Sequence, residues 1–164
     1  MIFTLISILL IIADQISKIA ALKILKPLSS VVILKNIFSL SYVENRGAAF
    51  GMMQNSRWIF IVVTTVAILA LIVYRFKFKP KGFIVNSALC MLLAGAVGNM
   101  IDRVFRGYVI DMLEVTFISY PVFNLADCFV VIGAILLCIY ILFIYDDTKE
   151  KKQETEKPEG TEND

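Results

Sequence analysis

Two long runs without a single charge constrain this chain more than any other feature. Trp58 to Tyr74 is 17 residues of apolar and hydroxyl side chains, and Phe83 to Ile101 is 19. A helix needs about 20 such residues to cross the hydrocarbon core, within a range near 17–25. Hydrophobic residues make up 59% of the 164, against roughly 45–50% in a soluble domain. The chain therefore reads as a small integral membrane protein with one membrane domain. Val122 to Tyr145 is a third span, interrupted only by Asp127, and Met1 to about Leu22 is a fourth, carrying Asp14 and Lys18. This first segment lacks a basic n-region and reads Asp-Gln-Ile-Ser-Lys where cleavage would fall, so a retained span is expected rather than a signal peptide.

Four spans place both termini on one side. The link RFKFKPK packs Arg75, Lys77, Lys79 and Lys81 into seven residues, a density that marks the cytoplasmic face. Residues 23–57 and 102–121 then lie outside. Asp14, Lys18, GNMIDR at the end of span three and FNLAD at the start of span four all converge on that outer face. In the 23–57 loop, Phe38, Leu40 and Tyr42 alternate with Ser39, Ser41 and Val43. Period two predicts a half-buried strand, with Val31 to Leu34 as a partner. The expected architecture is four transmembrane helices, an all-α membrane protein, topped by a small outer β platform. Residues 1–145 form this domain. Residues 146–164 hold eight acids and four lysines with no apolar residue, and are expected to be a solvated, disordered cytoplasmic tail.

Composition also removes chemistries. With no histidine, a Ser-His-Asp triad, a Cys-His pair and His-ligated metal sites are excluded. Cys90, Cys128 and Cys138 lie dispersed in apolar runs, the placement of small hydrophobes rather than of a disulfide framework or zinc site. No cofactor, no metal and no nucleic-acid partner is expected, and a monomer is the simplest assembly.

The carboxylates that remain carry the functional reading. Asp127 sits inside a span with no cation on its own helix, and an ionisable residue there is a functional candidate by default. Its alternative is a structural pair with an arginine such as Arg103. Asp111, in YVIDMLEV, lies just outside the membrane, and consecutive antiparallel spans bring it toward Asp127. Two carboxylates in a poorly solvated site share a proton, giving an acid and a base side by side. Glu114, three residues on, could share a helical face with Asp111. Asp102 adjoins Arg103, which suggests a structural pair. Asp14 and Lys18 stand at the helical i,i+4 spacing, as an anchor or a head-group contact. Asn45, Asn99 and Asn124 could orient a carboxylate or hold a substrate backbone, or simply cap helices. Gly95 and Gly98, beside Ala94 and Ala96, form a small-residue face suited to close helix packing.

Taken together, DQISK, YVENRGAAFG, AGAVGNMIDR, GYVIDML and FNLAD, in this order from about residue 5 to residue 145, resemble the lipoprotein signal peptidases (signal peptidase II). The resemblance implies a bacterial inner-membrane aspartyl endopeptidase with four transmembrane helices and a small extracytoplasmic β-cradle. Such an enzyme cleaves prolipoproteins before a diacylglyceryl-modified lipobox cysteine. By motif, the dyad falls on Asp111 and Asp127. The supporting residues fall on Asp14, Lys18, Asn45, Gly47, Gly95, Asn99, Arg103, Asn124 and Ala126. Prolipoprotein substrate, membrane lipid and the inhibitor globomycin are the implied partners. Ala48 and Ala49 would leave room for the substrate, and Ala94 stands where the family's string usually begins with glycine.

Three rival readings make different predictions. A proton-coupled transporter would use Asp14 and Asp127 as relays and needs polar residues through the membrane depth, whereas the unusual polar residues cluster at one face and spans two and three are free of charge. A metal-dependent lipid phosphotransferase would bind Mg²⁺ through Asp111 and Asp127, with Arg103 and Arg106 as the phosphate clamp, and would be sensitive to EDTA. A structural subunit would lose only folding or assembly on Asp→Asn substitution.

Overall fold

A computed structural model of the chain describes residues 2–47, 53 and 56–145. Its helices are α1 (Ile2–Ala20), α2 (Lys26–Leu28), α3 (Arg57–Phe78), α4 (Phe83–Phe105) and α5 (Leu125–Phe143), and its strands are β1 (Ser30–Leu34), β2 (Phe38–Asn45) and β3 (Val109–Val115). A π-helical turn, Ala21–Leu25, joins α1 to α2 into one rod, Ile2–Leu28. This rod and α3, α4 and α5 are each long and apolar enough to cross a membrane. Their outward side chains are greasy: Trp58, Val62 and Val66 on α3 and Leu142 on α5 are all more than 60% exposed. Such exposure is unfavourable in water and favourable against lipid. The chain is thus a multi-pass membrane protein with a mainly helical fold and a small antiparallel sheet.

The four spans fall where the apolar runs predicted, but three extend past their charges. The first continues beyond Leu22 to Leu28, α3 passes Arg75 and Lys77, and α4 passes Asp102 and Arg103. A charge marks the edge of the hydrocarbon slab and not the end of the helical hydrogen bonds, and long basic side chains reach back to the interface.

Helix α4 is the hub. Buried Ala88, Ala94, Gly95 and Gly98 lie along it, and small residues let neighbouring backbones approach closely. A Cβ on Gly95 would meet Val130 Cγ2 at 2.6 Å and the Ala126 carbonyl. One on Gly133 of α5 would meet Leu92 Cγ at 2.9 Å. The expected packing role of this face is what the structure contains.

At one end of the bundle the strands form an antiparallel sheet in the order β1-β2-β3. The two strands read from alternation are β1 and β2. The third was not foreseen, because Val-Ile-Asp-Met-Leu-Glu-Val lacks clean alternation. Its Ile110 and Met112 pack with Ala21 and Leu25 of the π turn, which seats the sheet on the first span. At the end of α4, Gly107 (φ +85°) donates its N–H to the Asp102 carbonyl at 3.2 Å, a left-handed helix stop that turns the chain into β3.

Candidate active site

Backbone architecture brings the two aspartates together. Between Leu40 and Val43 the β2–β3 register slips by one residue, so Val43 rather than Tyr42 stands opposite Asp111. Cross-strand partners share a face, as do residues two apart, so the bulge puts Asn45 and Asp111 on the same side. After β3 the chain loops back, and Phe123 bridges Leu113, with the Leu113 N–H donating to the Phe123 carbonyl at 2.8 Å. This return sets Asn124 beside Asp111. Asn124 then opens α5 with a capping box: its Oδ1 accepts from the Asp127 N–H at 3.0 Å, and Asp127 Oδ2 accepts from the Asn124 N–H at 3.1 Å. Asp127 is thus held at the third position of a capped helix, where the N-terminal dipole favours a carboxylate.

The three asparagines are the clamp. Asn45 Nδ2 donates to Asp111 Oδ2 at 3.0 Å, and Asn124 Nδ2 donates to Asp111 Oδ1 at 2.6 Å. Asn99 Nδ2 donates to Asp127 Oδ1 at 2.7 Å. Asn124 Nδ2 also reaches Asn99 Oδ1 at 3.2 Å, so one amide ties the two carboxylates into one network. Gly47 donates its N–H to Asn45 Oδ1 at 3.0 Å, fixing which end of that amide faces Asp111.

Behind this layer lies a buried ionic cluster. Lys18 and Asp14 are both 0% exposed and pair at 3.0 Å. That makes them an interior anchor and rules out the head-group alternative. Lys18 also pairs with Asp102 at 3.2 Å and donates to Asn99 Oδ1 at 2.8 Å. Asp14 accepts from the Ala126 N–H at 3.0 Å, pinning the first turn of α5 to α1. Gln15, which no sequence signal singled out, donates to Asp14 at 3.0 Å and to the Gly98 carbonyl at 3.1 Å.

Three alternatives left open by the sequence are not what the structure contains. Asp102 pairs with Lys18 and Arg106 and not with Arg103, because neighbours at i,i+1 on a helix diverge whereas i,i+4 residues stack. Glu114 does not share a face with Asp111. On a strand an odd separation sends side chains to opposite faces, and Glu114 accepts from Ser41 Oγ instead. Among the described residues no ion pair joins Arg103 to Asp127. Arg103 lies over the Phe60 ring, 4.9 Å from its centroid, and makes long 3.5 Å contacts to the Asn99 and Gly47 carbonyls, within electrostatic reach of both aspartates. Ala48, Ala49 and the tail 146–164 lie outside the described residues.

The aspartates differ in environment. Asp111 is 1% exposed, whereas Asp127 is half-buried. Burial pushes the Asp111 carboxyl from its ordinary 3.8 up to about 6, and the charge of Asp127 adds to the rise. The amides of Asn124 and Asn45 and the charge on Lys18 oppose it.

The arrangement has known counterparts. The family model described as signal peptidase (SPase) II matches residues 6–143. The lipoprotein signal peptidase of Clostridioides difficile is 46% identical over 145 residues, covering 87% of this chain and 96% of that protein. That of Caldanaerobacter subterraneus subsp. tengcongensis is 48% identical over 130 residues, covering 79% and 88%. A solved bacterial membrane enzyme superposes with a TM-score of 0.80 at 28% identity, covering 97% of this chain and 93% of that one. A second gives 0.78 at 30%, covering 87% and 93%. With nearly its whole membrane domain accounted for, the chain belongs to the signal peptidase II family of membrane peptidases.

Proposed function

We propose that this chain removes signal peptides from bacterial prolipoproteins as an aspartyl endopeptidase, cutting before the diacylglyceryl-modified lipobox cysteine with Asp111 and Asp127 as its dyad. The observation that carries the reading is the amide network that ties two carboxylates from distant segments, one on a strand and one on a capped helix, into one site.

The lipid of the substrate stays in the bilayer, which confines the search for the peptide bond to two dimensions. One aspartate of the pair, ionised, takes a proton from water as the oxygen attacks the scissile carbonyl. The other, protonated, donates to the developing oxyanion. As the C–N bond breaks, the proton taken from water passes to the leaving amine of the lipidated cysteine, and the acid recovers its own from the collapsing intermediate. The pair titrates as a unit. Asn45, Asn99 and Asn124 hold the carboxylates, while Asp14, Lys18, Gly47, Gly95, Arg103 and Ala126 hold the asparagines and α5.

Residues 1–145 form the peptidase domain, and 146–164 form a charged tail. The basic link containing Arg75, Lys77, Lys79 and Lys81 supports a cytoplasmic location for both termini and an outer-face site. The enzyme acts as a monomer and is inhibited by globomycin.

The test is cleavage of a diacylglyceryl lipobox peptide by wild type, Asp111→Asn and Asp127→Asn, each checked for helix content, with and without EDTA. Cleavage before the modified cysteine, lost in both folded variants and indifferent to EDTA, is expected. Residual cleavage by either folded variant refutes the dyad, and loss of activity with EDTA moves the metal-dependent reading forward.

A further inference from the structure

At the end of the bundle opposite the aspartates, α1, the end of α3 and the start of α4 enclose a crevice of about 890 Å³. Its Asn86 stands thirteen positions from Asn99 on α4, about 20 Å at 1.5 Å per residue. Its walls are apolar, with Ile6, Leu10, Phe83 and Met91, and no Asp or Glu among the described residues lines it. Arg75 stands at its polar end, with the guanidinium 5.0 Å from the centroid of the Phe3 ring. Two of the three buried side-chain polar atoms that lack a hydrogen-bond partner among the described residues lie here: Arg75 Nε, a donor, and Asn86 Oδ1, an acceptor. The Asn86 amide nitrogen is already committed to the Pro80 and Gly82 carbonyls, at 3.2 and 2.7 Å, so its oxygen cannot be exchanged for a donor by flipping. Lys77, Lys79 and Lys81 follow Arg75 in sequence, so this end of the bundle is cationic.

We infer that this crevice is a binding site for one anionic phospholipid of the phosphatidylglycerol type, held apart from the peptidase site. An apolar slot in a membrane-spanning region accepts an acyl chain. Arg75 is half-buried and lines the crevice, and its terminal guanidinium nitrogens meet the phosphodiester, as guanidinium groups do. Phosphate alone leaves the slot empty. A choline head group lacks the net negative charge.

The test uses the full chain in detergent, examined by native mass spectrometry with phosphatidylglycerol, phosphatidylethanolamine, phosphatidylcholine or glycerol 3-phosphate. One phosphatidylglycerol is expected to bind at least about fivefold more tightly than phosphatidylcholine, the scale of one basic residue against an anionic head group. Arg75→Gln should reduce that affinity by a similar factor. Leu10→Trp, which fills the slot, should reduce binding of every lipid. Helix content by circular dichroism should be unchanged in both. Equal retention of all three lipids, equal retention by both folded variants, glycerol 3-phosphate binding as tightly as the lipid, or displacement by a synthetic transmembrane peptide would each overturn the assignment.

Discussion

Replacing Lys18 with methionine should damage stability and catalysis by separable routes. Lys18 is 0% exposed and holds Asp14 at 3.0 Å, Asp102 at 3.2 Å and Asn99 Oδ1 at 2.8 Å. Methionine fills the volume but strands Asp14 without a cation, whereas Asp102 keeps Arg106. Removing one partner of a buried pair costs about 3–5 kcal/mol, about 6–20 °C in Tm at 2–4 °C per kcal/mol for a chain of this size. The second route runs through Asn99. Without an ammonium at its oxygen, that amide loses the contact that keeps its Nδ2 aimed at Asp127, and turnover falls. Thermal unfolding by circular dichroism measures the first effect, and peptide cleavage at a temperature where the variant is folded measures the second. Adding Asp14→Asn discriminates further. The double variant should recover about 1 kcal/mol or more relative to Lys18→Met alone, because the stranded charge is gone. If Lys18→Met melts within 2 °C of wild type, or the double variant loses the sum of both singles, the reasoning about this cluster is wrong.

The Asp111 carboxyl gives stability a pH signature. Its folded pKa of about 6 lies above its ordinary 3.8, so between those values the folded state binds more protons than the unfolded one. The contribution is therefore full below about pH 4 and lost as pH rises through 6, on the order of 3 kcal/mol at 1.36 kcal/mol per unit. Asp111→Asn should flatten that slope in denaturation series between pH 4 and 7, and an unchanged slope would show that other groups set it. Gly98→Ala would place a Cβ 2.5 Å from Asp14 Oδ2. It should cost about 1–3 kcal/mol by overpacking and weaken the Asp14–Ala126 tie, seen as a lower Tm together with slower cleavage; a neutral Tm would mean that α1 shifts freely. Arg103→Lys keeps the charge but loses the planar stack on Phe60, so cleavage should drop with Tm within a few degrees of wild type, and full activity would reduce Arg103 to a point charge.

The four spans were legible because each hydrophobic run far exceeds what a soluble helix carries. The β2 strand was legible because Phe38 to Val43 alternates. β3 was not: its apolar residues run nearly unbroken around Asp111, and such runs do not separate strand from helix by periodicity. That ambiguity left open a helical face shared by Glu114 and Asp111, which the strand excludes. The dyad candidates were visible as carboxylates near an apolar environment. Asn99 was legible as an amide that could orient a carboxylate and Lys18 as the partner of Asp14, but the contacts of Lys18 with Asn99 and Asp102 were not, because they depend on α1 lying against α4 at one particular height. The Asp102–Arg106 pair stood at i,i+4 in the sequence and was overlooked in favour of the adjacent Arg103.

The capped start of α5 has a consequence for synthesis. Asp111 and Asp127 sit on β3 and α5, the last two elements of the described fold, while Asp14, Lys18, Asn45 and Asn99 are all translated before them. A growing chain therefore carries two of the three clamping asparagines before either carboxylate, and the third, Asn124, arrives between them. The two aspartates do not meet until the fourth span has entered the bilayer and Asn124 has closed over the first turn of that helix. With the proposed dyad, a peptidase embedded among membrane-inserted substrates would be inert throughout its own insertion and become competent in the step that brings in its fourth span.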